Sequence, residues 1–312
     1  MFGPTFARPV ARAGSISALV LAYAWVNIRG IRQVAAVSTA FTLAKLLPLV
    51  AFVAVGLFFV EPQSLHLGSL PSAHNLSTAL LLAAFAYFGF DATTVLAGEV
   101  RSPRRSIPFA ILVSVSCVTI LYALIQAVCV GTLPNLASSE RPLADAAAVF
   151  VGPSASILVA VVAIVSCAGV FGASLTPATR LLFAMSEHGQ LPTALAHVHS
   201  RFRTPVLAII VTAAAILFLA LSGSFIYLVK ITLIARLTVY AITCVTLPIF
   251  RRRKELPEAA FKVPAGEVVA YGCAILCVLF LATSSMRELL DVALAVLIGL
   301  AIFGGTRFAG RA

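Results

Sequence analysis

The chain has 312 residues, of which 61% are hydrophobic and 11% charged, and it carries a net charge of +11. Soluble domains hold roughly 45–50% apolar and about 25% charged residues, so the composition excludes a soluble fold and implies an all-α polytopic membrane protein. The basic residues sit in short loops between apolar spans, which is a positive-inside pattern and not the footprint of a nucleic-acid binder.

Residues 1–12 contain Pro4, Arg8, Pro9 and Arg12 and read as an irregular tail. The apolar stretch after it allows two readings. One is a signal peptide ending at the small-x-small Ala22-Tyr23-Ala24. The other is a membrane helix from near Val10 to Asn27-Ile28-Arg29-Gly30. Residues 34–60 follow as a span long enough to cross with tilt, carrying Lys45 and Pro48.

Residues 77–100 form a span with unusual contents. Gly89 and Asp91 fall inside the apolar run, Gly98 and Glu99 follow, and Arg101, Arg104 and Arg105 close it between Pro103 and Pro108. An acid inside a bilayer is a functional-site candidate by default. A helix interrupted there leaves backbone groups unpaired, which is tolerated only in protein or beside a cavity. The stretch is therefore expected to be a discontinuous helix of the kind that holds small polar substrates near the midplane of transporters.

Further spans are expected at 107–131, with Pro108 in its first turn, at 154–185, 205–221, 225–250, 268–283 and 289–303. Residues 144–151 read as a short interfacial helix. With the N-terminal helix this makes nine spans. An alternating topology puts Arg29, Arg32, the Arg101–Arg105 cluster, the Arg251–Lys254 run and the C-terminus on one side. The opposite loops after the first span hold only Arg141 and Arg287. This orients the C-terminus to the cytoplasm and argues against cleavage after Ala24. The basic tail, left outside, breaks the rule, and the odd span count suggests helices preceding residue 1.

The six cysteines all lie in apolar spans and read as small buried hydrophobes. His197-x-His199 is too sparse for a metal site. No cofactor is expected. No histidine falls inside a span and no G-x-S-x-G or H-E-x-x-H occurs, so an enzyme is not expected.

Phe85-Ala86-Tyr87-Phe88-Gly89-Phe90-Asp91, followed by Glu99-Val100-Arg101-Ser102-Pro103-Arg104-Arg105-Ser106-Ile107-Pro108, resembles the sixth helix of the amino acid–polyamine–organocation (APC) permeases. The stretch from Asn27 through Phe41-Thr42-Leu43-Ala44-Lys45-Leu46 resembles their fifth helix. Thr179-Arg180-Leu181-Leu182-Phe183-Ala184-Met185, with Gly189-Gln190-Leu191-Pro192, resembles the end of the eighth. The resemblance covers about residues 20–308. It implies a single permease domain over 1–312, corresponding to family helices four to twelve of an inverted five-plus-five repeat, with the first three helices missing.

The function it implies is secondary transport of an amino acid or related amine, coupled to protons or by exchange, across a bacterial inner membrane. A non-transporting remnant or accessory subunit of the same fold is the alternative. The implied substrate site is Phe85, Phe88, Gly89, Phe90 and Asp91, with carbonyls near Phe85 and Phe88 accepting an ammonium. Asp91 is also readable as a cap of the second half-helix. Lys45 is the implied proton carrier, with snorkelling to the interface as its other reading. Glu99 and Arg101 are read as a cytoplasmic gate. Lys230 and Arg236 lie in a later apolar span and are read as candidates for the pathway lining.

Overall fold

A computed structural model describes residues 9–65, 72–222, 225–253, 261–282 and 284–309. Every regular element among them is helical. The helices are α1 (Pro9–Arg29), α2 (Ile31–Gly56), α3 (Ala73–Ala86), α4 (Ala92–Val95), α5 (Pro103–Thr132), α6 (Pro142–Val151), α7 (Ala155–Glu187), α8 (Val206–Ser222), α9 (Phe225–Arg252), α10 (Gly266–Ala282) and α11 (Met286–Ala309).

Six of these are long and apolar enough to cross a membrane: Val10–Arg29, Gln33–Phe59, Pro103–Thr132, Ala155–Glu187, Tyr227–Arg252 and Met286–Thr306. Two shorter apolar helices, α8 and α10, have 17 residues each, about 25 Å at the α-helical rise. Large apolar side chains on these helices are open to the surroundings, with Phe109 and Phe218 each 70% exposed. In a bilayer such surface meets lipid tails rather than water.

Two boundaries differ from the sequence reading. Helix α1 begins at Pro9, inside the stretch 1–12 read as irregular, and agrees with a helix from near Val10. Pro108 is not in a first turn. Helix α5 starts at Pro103, whose missing N–H suits the helix start, and Pro108 is carried inside the helix. The link between α8 and α9 at Gly223-Ser224 and most of the basic loop after Arg253 lie outside the described residues.

The chain divides into two compact units. The first comprises Met1–Leu70, Ala110–Arg180 and Val198–Ala214. In it α1 and α2 are separated by the single residue Gly30, at φ 118°. Beside this junction the Thr176 hydroxyl donates to the Asn27 side-chain oxygen at 2.8 Å, and the Thr204 hydroxyl donates to the Ile28 carbonyl at 3.0 Å. Gly169 and Gly172 of α7 let that helix approach closely: a Cβ at either would collide with Phe41 or Tyr23. Small residues serve this purpose where no water drives helices together. The unit's packed centre is Phe52, Val53, Val128, Cys129, Ala146, Ala147 and Ala155, with Phe150 against Phe52 at 5.4 Å.

The second unit comprises Pro71–Phe109, Leu181–His197 and Ala215–Ala312. Helix α9 is its spine and packs against α10 and α11. At one end the Tyr227 hydroxyl donates to Asp291 at 2.6 Å, and Lys230 pairs with Glu288 at 2.9 Å. These bonds tie α9 to α11. The Thr306 hydroxyl of α11 donates to the Gln190 carbonyl at 3.2 Å.

Candidate functional site: the interrupted helix

The expected discontinuous helix is present. Ser72 caps α3, its side chain accepting the Asn75 N–H. The helix runs 14 residues to Ala86, about 21 Å at the α-helical rise. That falls short of the roughly 30 Å hydrocarbon core. Tyr87–Asp91 then forms turns, α4 resumes for a single turn at Ala92–Val95, and a 3-10 turn follows at Ala97–Glu99. Gly89 lies at φ 116°, a region where an L-residue's Cβ is strained. The break therefore sits where only glycine enters easily.

The hydrogen bonds across this stretch explain its chemistry. The Phe85 carbonyl accepts from the Phe88 N–H at 3.2 Å. The Phe90 carbonyl accepts both the Thr93 N–H and its hydroxyl, and the Asp91 carbonyl accepts both from Thr94. Among the described residues the Ala86 and Phe88 carbonyls receive no hydrogen bond. Unpaired carbonyls are partial negative charges, and in a low dielectric they suit an ammonium. The free acceptors are thus Ala86 and Phe88, while the Phe85 carbonyl already serves the turn.

Asp91 occupies the cap position of α4 but makes no side-chain cap. Its carboxylate is instead engaged by Arg236 of α9, 145 positions along, whose Nη1 donates to both oxygens at 2.6 Å. The capping expectation for Asp91 is corrected accordingly. A cation's full charge outcompetes the partial charge of α4's single turn. The guanidinium also lies over the Phe88 ring, 5.4 Å from its centre.

Tyr240, one helical turn beyond Arg236, stacks on Phe90 at 5.7 Å and meets Phe88 edge-on at 5.8 Å. Its hydroxyl is shielded from solvent and makes no hydrogen bond of good geometry, although it lies beside Asp91 and Arg236. Phe85 closes the aromatic group edge-on to Phe88 at 5.9 Å. Phe85, Phe88, Phe90 and Asp91 are therefore joined by contacts, around the bend at Gly89. Arg236 and Tyr240 belong to the same cluster. Arg236 was legible as a cation in an apolar span. Tyr240 carried a signal only as its i, i+4 neighbour on the same helix face.

Lys45 belongs to the first unit and is half-buried at a pocket of about 490 Å³. The pocket is otherwise lined mainly by apolar residues, among them Phe52, Val55, Tyr122, Phe150 and Val159. Lys45 has no hydrogen-bond or ion-pair partner among the described residues. Arg101 is exposed, and the Glu99 side chain is outside what the structure describes. No group of three or more His, Cys, Asp or Glu that could hold a metal occurs among the described residues.

A family model described as amino acid permease matches residues 1–303. Among curated proteins, the chain is 31% identical to the methylthioribose transporter of Bacillus subtilis over 291 residues, covering 90% of this chain and 60% of that protein. It is 28% identical to the branched-chain amino acid permease BcaP of the same organism, covering 84% of this chain and 57% of the relative. It is also 28% identical to the serine/threonine exchanger SteT of that organism, covering 88% and 64%. The chain thus spans about three-fifths of the length of these relatives. The apolar helices, the interrupted span and the match over almost its whole length place the chain among integral membrane proteins of the amino acid permease family.

Proposed function

We propose that this chain carries the substrate-binding half-helix of a secondary amino acid transporter. The observation that carries the reading is the break at Tyr87–Asp91, where the Ala86 and Phe88 carbonyls are free inside a stretch flanked by Phe85, Phe88 and Phe90. An α-ammonium fits those carbonyls, and the rings border the space a side chain would enter. Relatives named for branched-chain amino acids and for serine and threonine support an amino acid substrate.

Lys45 is the proposed proton carrier. Its half-buried side chain stands inside a membrane-spanning helix and borders a pocket lined mainly by apolar residues. Glu99 and Arg101, just past the break, are the proposed cytoplasmic gate. The loop charges support a cytoplasmic C-terminus, and the named bacterial relatives support a bacterial inner membrane.

The test is uptake and counterflow of labelled amino acids by the purified chain in proteoliposomes. Saturable uptake of a neutral amino acid is expected. No uptake and no exchange would leave a remnant or accessory subunit as the better reading. Uptake of methylthioribose but of no amino acid would keep the carrier and replace its substrate. For Lys45, uptake by the Lys45→Ala variant across a range of external pH is expected to lose the dependence of the unsubstituted chain. An unchanged profile removes the lysine from the coupling.

A further inference from the structure

We propose that Arg236 sets the charge selectivity of the break. By cancelling Asp91 it makes the site accept amino acids without net charge and reject those with a cationic side chain. The inference rests on the permease reading above and concerns the same site. Asp91 places a carboxylate within the interrupted span, next to carbonyls suited to one ammonium. Left alone in a low dielectric, it would attract a second cation strongly. It is not left alone: both of its oxygens accept from Arg236 Nη1 at 2.6 Å.

The guanidinium is held in place from two sides. Phe88 lies under it at 5.4 Å. Tyr240, on the same face of α9, grips Phe88 and Phe90. The arginine therefore answers the acid at a fixed position rather than as a roaming surface charge. Arg236 and Asp91 are 32% and 36% exposed, so the pair borders open space and is not sealed in a core. A role in packing alone would be met at least as well by apolar residues. An acid and a base retained together at the bend fix its charge at zero.

The experiment compares lysine, leucine and glutamate uptake in proteoliposomes containing the full chain. The unsubstituted chain is expected to prefer leucine. Arg236→Met uncovers Asp91 and should raise the lysine-to-leucine ratio about tenfold or more, the scale of one uncompensated charge nearby. Asp91→Asn uncovers Arg236 and should shift the preference the other way, towards glutamate. The double variant Asp91→Asn/Arg236→Met is neutral again and should restore the original order.

Ratios that stay unchanged in active variants overturn the inference while leaving the permease reading intact. So does a preference for lysine in the unsubstituted chain. An unsubstituted chain that takes up no amino acid overturns both. If Arg236→Met does not reach the membrane, Asp91→Asn and the double variant decide the question by the same ratios.

Discussion

Gly30 and Gly89 have nearly the same backbone angle, φ 118° and φ 116°, and they do opposite things. At Gly30 the interruption lasts one residue. The Gly30 N–H reaches the Asn27 carbonyl, the Val34 N–H reaches the Gly30 carbonyl, and the Ile28 carbonyl takes the Thr204 hydroxyl. At Gly89 five residues leave the helix, and among the described residues the Ala86 and Phe88 carbonyls find no partner. The dihedral is only permission to turn. Whether a turn becomes a joint or a site depends on what satisfies the neighbouring backbone. Around Gly30 the nearby side chains are an amide and hydroxyls that bond locally. Around Gly89 the groups nearest the two free carbonyls are phenyl rings, while the polar groups are engaged elsewhere: Asp91 with Arg236, and the Thr93 and Thr94 hydroxyls with the Phe90 and Asp91 carbonyls.

The two glycines are expected to fail differently. Gly89→Val forces a β-branched residue into the left-handed region, a strain of roughly 1–3 kcal/mol. Amino acid uptake should fall more than tenfold, read as initial rate in proteoliposomes at matched protein. A variant that transports normally would remove the break from the site.

Gly30→Ala should cost about 1–2 kcal/mol. That loss should appear as a lowered melting temperature in detergent with the KM of the residual uptake unchanged. A raised KM would make Gly30 part of the site as well. Asn27→Ala should have the smallest effect. It deletes the acceptor of the Thr176 hydroxyl and leaves that group buried without a partner, a loss of about 1 kcal/mol. The melting temperature in detergent should fall by less than in Gly30→Ala. A larger fall would show that the amide network, rather than the glycine, holds the α1–α2 junction.

The interruption itself was legible, because Gly89 and Asp91 in an apolar run break two rules at once. The helices were legible for the same reason, since apolar length is a local property. The partner of Asp91 was not. Arg236 stands 145 positions away, and no local pattern links one polar residue in a span to another. The available clue was general: opposite charges within spans tend to meet. Reading Asp91 as a cap undervalued it. Pro108 was misplaced because Pro103 and Pro108 both suit a helix start, and the choice between them needed the fold. Lys45 was legible as a cation inside a span, but the pocket beside it is a product of packing.

The two orphan carbonyls have a last consequence. Bare carbonyls in an apolar layer are costly, so water is expected to meet them whenever no substrate occupies the proposed site. Under the proposed function, a substrate ammonium arriving there exchanges bonds with water rather than adding new ones, so each charged bond contributes only about 1.5–3 kcal/mol net. On that reading the two carbonyls orient a substrate without by themselves holding it tightly. A carrier benefits from that arrangement, since a substrate gripped tightly on one side of the membrane would not be released on the other.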